Sequence, residues 1–153
     1  MAKMNALLEP ELIEELYQAS QAGVQIDLLI RGVCALRPGV AGLSENIRVR
    51  SVVGRFLEHT RLFYFANEGA EDVFLSSADW MDRNFFRRIE LGFPVLDPAL
   101  KQRVINEGLK AYLDDASQAW SMTSEGAYDA PAPRRGKARV VQEELLRTLL
   151  PAA

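Results

Sequence analysis

Cysteine and histidine are almost absent from this sequence, and long hydrophobic runs are missing. Cys34 is the single cysteine among 153 residues, which excludes an intrachain disulfide framework and favours a reducing, cytoplasmic setting. His59 is the single histidine, which excludes a site built from several histidines, and we expect no metal ion on this chain. No apolar stretch approaches the roughly 20 residues that cross a bilayer, so no transmembrane segment is expected.

The motifs of several common enzyme classes are also missing. The sequence has no glycine-rich phosphate loop of the Walker or dinucleotide type and no Gly-x-Ser-x-Gly nucleophile elbow. Its formal net charge of −3 argues against a non-specific nucleic-acid binder, because such proteins are usually basic. We therefore expect no nucleic-acid partner.

The charge is distributed unevenly along the chain. Of the parts 1–30, 31–88 and 89–153, only the middle one is net positive, with nine arginines, no lysine and seven acids. A guanidinium group matches phosphate oxygens with two parallel hydrogen bonds, whereas an ammonium group acts as a point charge. The arginine bias is compatible with phosphate binding, but composition alone favours a solvated surface with ion pairs, because charged side chains usually stay exposed.

Apolar periodicity predicts an α/β fold. Glu9-Pro10-Glu11 is typical of a helix start, and Gly23 is typical of a helix end. Residues 24–30 predict a strand buried on both faces, with Arg31 at the carboxyl end, where ligands bind in α/β sheets. The other predicted elements are strands within 47–53, 58–65, 72–76 and 88–95 and helices over 98–118 and 140–150. This order indicates one mixed β-sheet flanked by helices.

His59 lies on the third of these predicted strands, residues 58–65. Alternation along a strand places His59 and Arg61 on one face, where the guanidinium would help to hold an anion, and Glu58 on the other. A lone histidine on a strand is more often structural than catalytic. The residues alone leave both interpretations open.

A second polar cluster follows between residues 76 and 90. It combines hydroxyl, carboxyl, guanidinium and amide groups in Ser77, Asp79, Arg83 and Asn84. Such a mixture can position phosphoryl oxygens through charge-assisted hydrogen bonds. The alternative is a polar turn between strands around a buried Trp80.

Several blocks of residues form a recognisable collinear series. They are Lys3-Met-Asn-Ala-Leu7, Tyr17-Gln-Ala-Ser-Gln-Ala-Gly23, Asp27-Leu-Leu-Ile-Arg31-Gly32, Leu36-Arg-Pro-Gly39, Gly42-Leu-Ser-Glu-Asn-Ile-Arg48, Gly54-Arg-Phe-Leu-Glu-His59-Thr-Arg61 and Ser77-Ala-Asp-Trp-Met81 with Arg83-Asn84. In type and order they resemble the C-terminal domain of bacterial polyphosphate kinases. In that family this domain is the second of two phospholipase D-like domains. The resemblance extends from about Lys3 to Trp120.

The resemblance implies how the chain is organised. Residues 1–120 would form the phospholipase D-like domain. Beyond the resemblance, glycine, proline and basic residues predict a loop or flexible segment over 121–138, and apolar spacing predicts a C-terminal helix of the same domain within 139–153. Because Met1-Ala2 directly precedes the first block, we expect the chain to be part of a longer kinase and inactive alone. The sequence departs from the family at Ser76 and at Phe85-Phe86, which affects the expected loop shape there.

The resemblance also implies a reaction and a set of contacts. The family transfers the terminal phosphoryl group of ATP reversibly to inorganic polyphosphate through a phosphohistidine, which lies in a domain absent from this chain. By correspondence, Arg31 and His59 would contact the nucleotide phosphates, with His59 acting as an acid or base or as a phosphate ligand. Weaker phosphate or polyphosphate contacts are expected at Arg61, Ser77, Asp79, Arg83 and Asn84.

Cofactors and partners follow from the same resemblance. ATP or ADP is expected as substrate, and magnesium is expected for the whole enzyme but not on this domain alone. The expected partners are the remaining domains of the kinase, polyphosphate, and further copies of the full-length chain. The expected location is cytoplasmic, with membrane association of the full-length enzyme as the alternative.

Two other functions stay open. The first is a phospholipase D-like phosphodiesterase in which a homodimer brings two copies of His59 together. Phospholipase D-like sites carry a lysine two residues after the histidine, and Arg61 stands at that place, which disfavours this function. The second is a non-catalytic interaction module that uses the helix at 140–150 and the arginine-rich face.

Overall fold

Three parallel strands form the centre of the fold. The computed structural model describes residues 1–115, 117–131 and 140–150. Strands β1, β2 and β3 span Ala2–Met4, Ile26–Ile30 and Ile47–Val52. Strand β2 lies in the middle and pairs in parallel with both neighbours. The carboxyl ends of the three strands therefore meet at one edge of the sheet, and Arg31 follows β2 at that edge.

Antiparallel strands extend the sheet on both sides. Next to β1 lie strands β4, β5 and β6, which span Leu62–Phe65, Asp72–Ser76 and Gly92–Pro94. Next to β3 lie β7 and β8, which span Ala119–Met122 and Tyr128–Asp129. The order across the eight-stranded sheet is β6-β5-β4-β1-β2-β3-β7-β8.

Helices flank the sheet. Helices α1 to α5 span Pro10–Gln21, Asp82–Phe86, Pro98–Ile105, Ala111–Leu113 and Val141–Leu149. A π-helical turn over Asn106–Lys110 joins α3 to α4, and a 3-10 turn over Asn67–Gly69 joins β4 to β5. Within the three described ranges, no helix combines the length and the apolar character that crossing a bilayer requires.

The sheet is buried on both faces by separate apolar cores. Leu28 belongs to the core beneath α1. Leu29, the next residue, belongs to the opposite core, together with Leu109 and Val141. The prediction of a strand buried on both faces is therefore confirmed, although β2 begins at Ile26, two residues later than predicted.

Most other predicted elements are present with changed bounds. The mixed sheet, the strands at 47–53 and 72–76 and the helices after Glu9 and at 140–150 are confirmed. Glu9 caps α1 by accepting a hydrogen bond of 2.6 Å from the backbone nitrogen of Leu12, and Pro10 occupies the first turn. The strand expected at 88–95 covers only Gly92–Pro94, and the helix expected at 98–118 ends at Leu113 after the π-helical turn.

Three strands were not predicted. Strands β1, β7 and β8 have three, four and two residues, which is too short for a period-2 pattern to emerge. As a result, the segment predicted as a loop at 121–138 begins inside β7 and contains β8. Residues 132–138 of that segment lie outside the described residues, as do residues 139 and 151–153 of the predicted C-terminal helix.

Candidate functional site

Arg31 is held in place by all three parallel strands. Its backbone nitrogen donates to the carbonyl oxygen of Met4 at 3.2 Å, and its carbonyl oxygen accepts from the Ser51 hydroxyl at 3.0 Å. Its Nη1 donates to the carbonyl oxygen of Glu58 at 2.6 Å. The guanidinium therefore contacts the backbone of the residue that precedes His59.

Arg31 lines a small cleft at the carboxyl end of β1 and β2. The cleft is lined by Lys3, Met4, Asn5, Leu29, Arg31, Val52, Glu58, Thr60 and Tyr112. Ligands of α/β proteins bind at this edge of the sheet because the strands end there and polar residues follow them. Glu58 and Thr60 line the cleft, and the exposed His59 lies between them in the chain.

The structure corrects the prediction that His59 lies on a strand. Strand β4 begins at Leu62, so alternation along a strand does not fix the direction of His59 or Arg61. The physical reason is that side chains, rather than a neighbouring strand, bind the backbone here. Gln142 bonds both backbone groups of Phe56, and Arg31 bonds the carbonyl oxygen of the residue before His59.

Glu58 turns away from His59 into a buried polar network, which explains why it is not the orienting partner of the imidazole. Its Oε2 accepts from the Lys3 ammonium at 2.5 Å and from the Tyr112 hydroxyl at 2.7 Å. Its Oε1 accepts from Gln142 Nε2 at 2.6 Å. The network anchors the segment that carries His59 from three different elements of the fold.

Burial and charge shift the pKa values in this network. Burial lowers the pKa of the Lys3 ammonium below its usual value, and the ion pair with Glu58 offsets this only in part. Burial acts to raise the pKa of Glu58, but the bonds from Lys3, Tyr112 and Gln142 outweigh it, so the pKa lies below its usual value. Burial, followed by the neighbouring Glu58, raises the pKa of Tyr112 above its usual range. The network therefore pairs Lys3 with a Glu58 carboxylate that is ionised at neutral pH and with a neutral Tyr112 phenol.

Helix α5 clamps the segment before His59. Gln142 Oε1 accepts from the backbone nitrogen of Phe56 at 2.8 Å, and Gln142 Nε2 donates to the carbonyl oxygen of Phe56 at 2.9 Å. Asp115 caps this helix, because its Oδ2 accepts from the backbone nitrogen of Val141 at 2.9 Å. A Cβ atom at Gly54 would lie 2.4 Å from Gln142 Oε1, so the clamp requires glycine there.

The Arg61 side chain is already hydrogen-bonded to other groups of the protein. Its Nε and Nη2 donate to the two carboxylate oxygens of Asp79 at 3.2 and 2.8 Å, and its Nη1 donates to the carbonyl oxygen of His59 at 2.9 Å. Asp79 is 4% exposed and also accepts from the backbone nitrogens of Asn5 and Ala6. This pair braces the end of β1, and a phosphate contact by either residue stays a prediction.

Two opposing effects set the pKa of Asp79. Burial acts to raise it, because a carboxylate loses water. The Arg61 guanidinium and the backbone donors of Asn5 and Ala6 outweigh burial, so the pKa of Asp79 lies below its usual value. Asp79 is therefore ionised at neutral pH and stabilises the folded state in that form.

Ser77 and Asn84 are bound to Glu90. The Ser77 hydroxyl donates to Glu90 Oε2 and accepts from the backbone nitrogen of Leu91 at 2.9 Å. Asn84 Nδ2 donates to Glu90 Oε1 at 2.6 Å, and bonds from Ser77 and Asn84 lower the pKa of Glu90. Arg83 is exposed on α2. This geometry is that of a braced polar turn, and phosphate contacts by these residues stay a prediction.

The described residues offer no obvious site for a metal ion. In residues 1–115, 117–131 and 140–150, no group of three or more His, Cys, Asp or Glu side chains is placed to hold one. Asp79 and Glu58 are each bound to a cationic side chain.

Sequence reasoning missed the residues that support the site. Lys3 lies on the short strand β1, which carried no pattern, and Tyr112 lies beyond the π-helical turn. Gln142 did carry a signal, because it lies three and seven positions before Leu145 and Leu149 on the apolar side of a predicted helix. A polar residue on such a stripe is buried only with hydrogen-bond partners, and Gln142 is 5% exposed.

Comparison with known proteins identifies relatives that cover most of the chain. Residues 1–142 match the family model for polyphosphate kinase C-terminal domain 2. The chain is 63% identical over 146 residues to the polyphosphate kinase of Paraburkholderia phytofirmans, covering 95% of this chain and 21% of that protein. It is 60% identical to the polyphosphate kinase of Neisseria meningitidis serogroup B, covering 97% of this chain and 22% of that protein. The chain thus spans about a fifth of the length of these relatives.

A solved structure shows the same fold. The crystal structure of polyphosphate kinase from Porphyromonas gingivalis matches with a TM-score of 0.91 and 42% sequence identity. The match covers 97% of this chain and 22% of that chain. The α/β phospholipase D-like class implied by the sequence resemblance is therefore confirmed.

Proposed function

The chain belongs to the family of polyphosphate kinase C-terminal domains, and from this membership we propose that it forms the phosphate-binding part of a kinase active site. The whole enzyme would transfer the terminal phosphoryl group of ATP reversibly to inorganic polyphosphate. The phosphohistidine would be supplied by another domain, since His59 corresponds to a phosphate-contacting residue of the family. Alone, the chain would bind phosphate groups without turnover.

The proposal rests on how many side-chain donors of Arg31 and of Arg61 are already bonded within the protein. Among the described residues, the Arg31 side chain makes a single hydrogen bond, to the carbonyl oxygen of Glu58, so most of its five N–H donors remain for a ligand. Arg61 instead donates from all three nitrogens, to Asp79 and His59. A guanidinium without a carboxylate partner, at the carboxyl edge of parallel strands, suits phosphate oxygens.

Arg31 and His59 suit what phosphoryl transfer needs. The reaction spreads negative charge over the phosphoryl oxygens, and catalysis comes mainly from positioning and electrostatic stabilisation. The Arg31 guanidinium would bind these oxygens with a permanent positive charge. The exposed His59 imidazole would donate a hydrogen bond to a neighbouring phosphate oxygen or exchange a proton with it.

The full-length enzyme supplies the remaining parts of this proposal. The other domains would complete the site around ATP or ADP and polyphosphate, and they would bind magnesium. We further propose that the enzyme acts in the cytoplasm as a homo-oligomer. No observation favours the phosphodiesterase function, since Arg61 is bound to Asp79 rather than free for a diester.

Kinetics of the full-length enzyme that carries this domain test the proposal. Arg31→Ala should lower kcat/KM for ATP-dependent polyphosphate synthesis by roughly a hundredfold, the usual effect of removing one preorganised donor. Arg31→Lys should recover part of the loss, because it keeps the charge but not the planar fork. The matched control is Arg48→Ala, which removes a 59% exposed arginine bound to Asp27. Equal kcat/KM values for Arg31→Ala and Arg48→Ala would contradict the proposal.

A further inference from the structure

Asn5 has a buried side-chain amide without a partner. Its Nδ2 is buried and has no hydrogen-bond acceptor within the described part of the chain. Asn5 directly follows β1 and lines the same cleft as Arg31. Buried polar groups in folded proteins are nearly always hydrogen-bonded, so an unpaired donor at a ligand-binding edge calls for an external acceptor.

The backbone of Asn5 is fixed by hydrogen bonds, so the amide can change position only by rotation of its own short side chain. Its nitrogen donates to Asp79 Oδ1 at 2.7 Å, and its carbonyl oxygen accepts from the backbone nitrogen of Gly32 at 2.8 Å. The two chain segments approach so closely that a Cβ at residue 32 would lie 2.9 Å from this carbonyl oxygen. Since that contact is with backbone, it cannot be relieved by a side-chain rotation.

The charges around the cleft favour an anion as the acceptor. The two nearby carboxylates are neutralised within the protein, Glu58 by Lys3 and Asp79 by Arg61. Arg31 contributes a positive charge without a carboxylate partner among the described residues. An anion that enters therefore meets a cation and a neutral amide donor.

We propose that the Asn5 side-chain amide donates a hydrogen bond to an oxygen of the same phosphate chain that Arg31 binds. This inference rests on the proposed function and adds a substrate-contacting residue to it. Asn5 would supply a neutral donor fixed by backbone bonds, and Arg31 would supply the charge. A linear phosphate chain offers adjacent oxygens to both groups at once.

Substitutions in the full-length enzyme test this contact. Asn5→Ala should raise the KM for ATP about tenfold, the cost of one hydrogen bond to a charged group, without lowering the melting temperature. Asn5→Asp has nearly the same shape but presents an anion, so it should raise the KM further. The matched control is Asn46→Ala. The Asn46 amide already donates to the carbonyl oxygen of Ser20 at 2.9 Å, so this variant should lower the melting temperature and leave the KM unchanged.

Arg31→Ala, assayed in parallel, separates this inference from the proposed function. A raised KM in Arg31→Ala with an unchanged KM in both Asn5 variants would overturn the Asn5 contact and leave the proposed function intact, with water as the partner of the amide. An unchanged kcat/KM in Arg31→Ala, together with an unchanged KM in both Asn5 variants, would overturn both the proposed function and the Asn5 contact. A lowered melting temperature with an unchanged KM in Asn5→Ala would assign the amide a structural role instead.

Discussion

Arg31 Nη1 donates a hydrogen bond of 2.6 Å to the carbonyl oxygen of Glu58. This bond joins the end of β2 to a segment 27 residues later in the chain. Because His59 follows Glu58 directly, the bond also keeps Arg31 close in space to His59, the other residue proposed to contact the nucleotide. The segment itself is irregular, so its position depends on side-chain bonds of this kind.

Gln142 is the main support of that segment from the C-terminal helix. We predict that Gln142→Ala lowers the free energy of unfolding by about 2 to 3 kcal/mol, because it removes two bonds to the Phe56 backbone and one to the Glu58 carboxylate. Urea unfolding of the 153-residue chain measures this. The matched control is Gln102→Ala, which removes an exposed glutamine bonded to Glu71.

The control should change the free energy of unfolding by no more than about 0.5 kcal/mol, as is usual for surface substitutions. In the full-length enzyme, Gln142→Ala should also lower activity, because His59 loses its anchored neighbours. A Gln142→Ala chain as stable as Gln102→Ala would show that the clamp does not form.

Gly54 and Gln142 should be energetically coupled. A Cβ at residue 54 would meet Gln142 Oε1 at 2.4 Å, and that atom is held by its bond to the Phe56 backbone. We predict that Gly54→Ala costs about 1 to 3 kcal/mol in the wild-type background and clearly less in the Gln142→Ala background, where Gln118 Oε1, 3.0 Å from the added Cβ, is the remaining close contact. A double-mutant cycle measured by urea unfolding gives the coupling.

Gly92→Ala is the control for the backbone effect of replacing glycine. An added Cβ at Gly92 has no neighbour within 4 Å, so its cost should be the same with and without Gln142. Strictly additive effects of Gly54→Ala and Gln142→Ala would contradict the close approach of the two residues.

Asp79 should contribute to stability in a pH-dependent way. Its folded-state pKa is lowered, so its stabilisation is complete above the unfolded-state value of about 3.9 and is lost as the pH falls through the folded-state pKa. We predict that Asp79→Asn costs about 3 kcal/mol at neutral pH, because Arg61 is left unpaired with its side chain only 18% exposed. The cost should shrink as the pH falls below about 4.

Urea unfolding between pH 3 and pH 7 measures this difference. The control is Asp82→Asn, which breaks an ion pair with Arg87 in which both side chains are more than half exposed. Such exposed pairs contribute about 0 to 1 kcal/mol. A cost of Asp79→Asn that stays constant with pH would show that Arg61 does not hold the carboxylate in its ionised form.

Local chemistry made the central elements predictable. The apolar residues of β2 allowed its burial on both faces to be predicted. Glu9 and Pro10 allowed the start of α1 to be predicted. The start of the third strand was predicted wrongly, because the alternation that leads into the aromatic residues of β4 suggested a strand from residue 58, whereas Arg31 bonds the backbone of Glu58 and the strand begins only at Leu62. Hydrogen bonds between residues that are far apart in the chain cannot be recognised from a local sequence pattern.

The candidate site was predicted in part for the same reason. The position of Arg31 follows from where β2 ends, so a sequence pattern was enough to place it. The partner of Arg61 was not predictable, because Asp79 lies 18 residues away and joins it only through the folding of β4 and β5. The unpaired amide of Asn5 depends on backbone contacts with two other segments, which no spacing rule reveals.

A structure of the full-length enzyme with a bound, non-hydrolysable ATP analogue tests the central claim most directly. We predict that phosphate oxygens of the analogue lie within hydrogen-bond distance, about 2.7 to 3.2 Å, of both the Arg31 guanidinium and the His59 imidazole. An analogue bound in the active site with its phosphates in contact with neither side chain would contradict the claim.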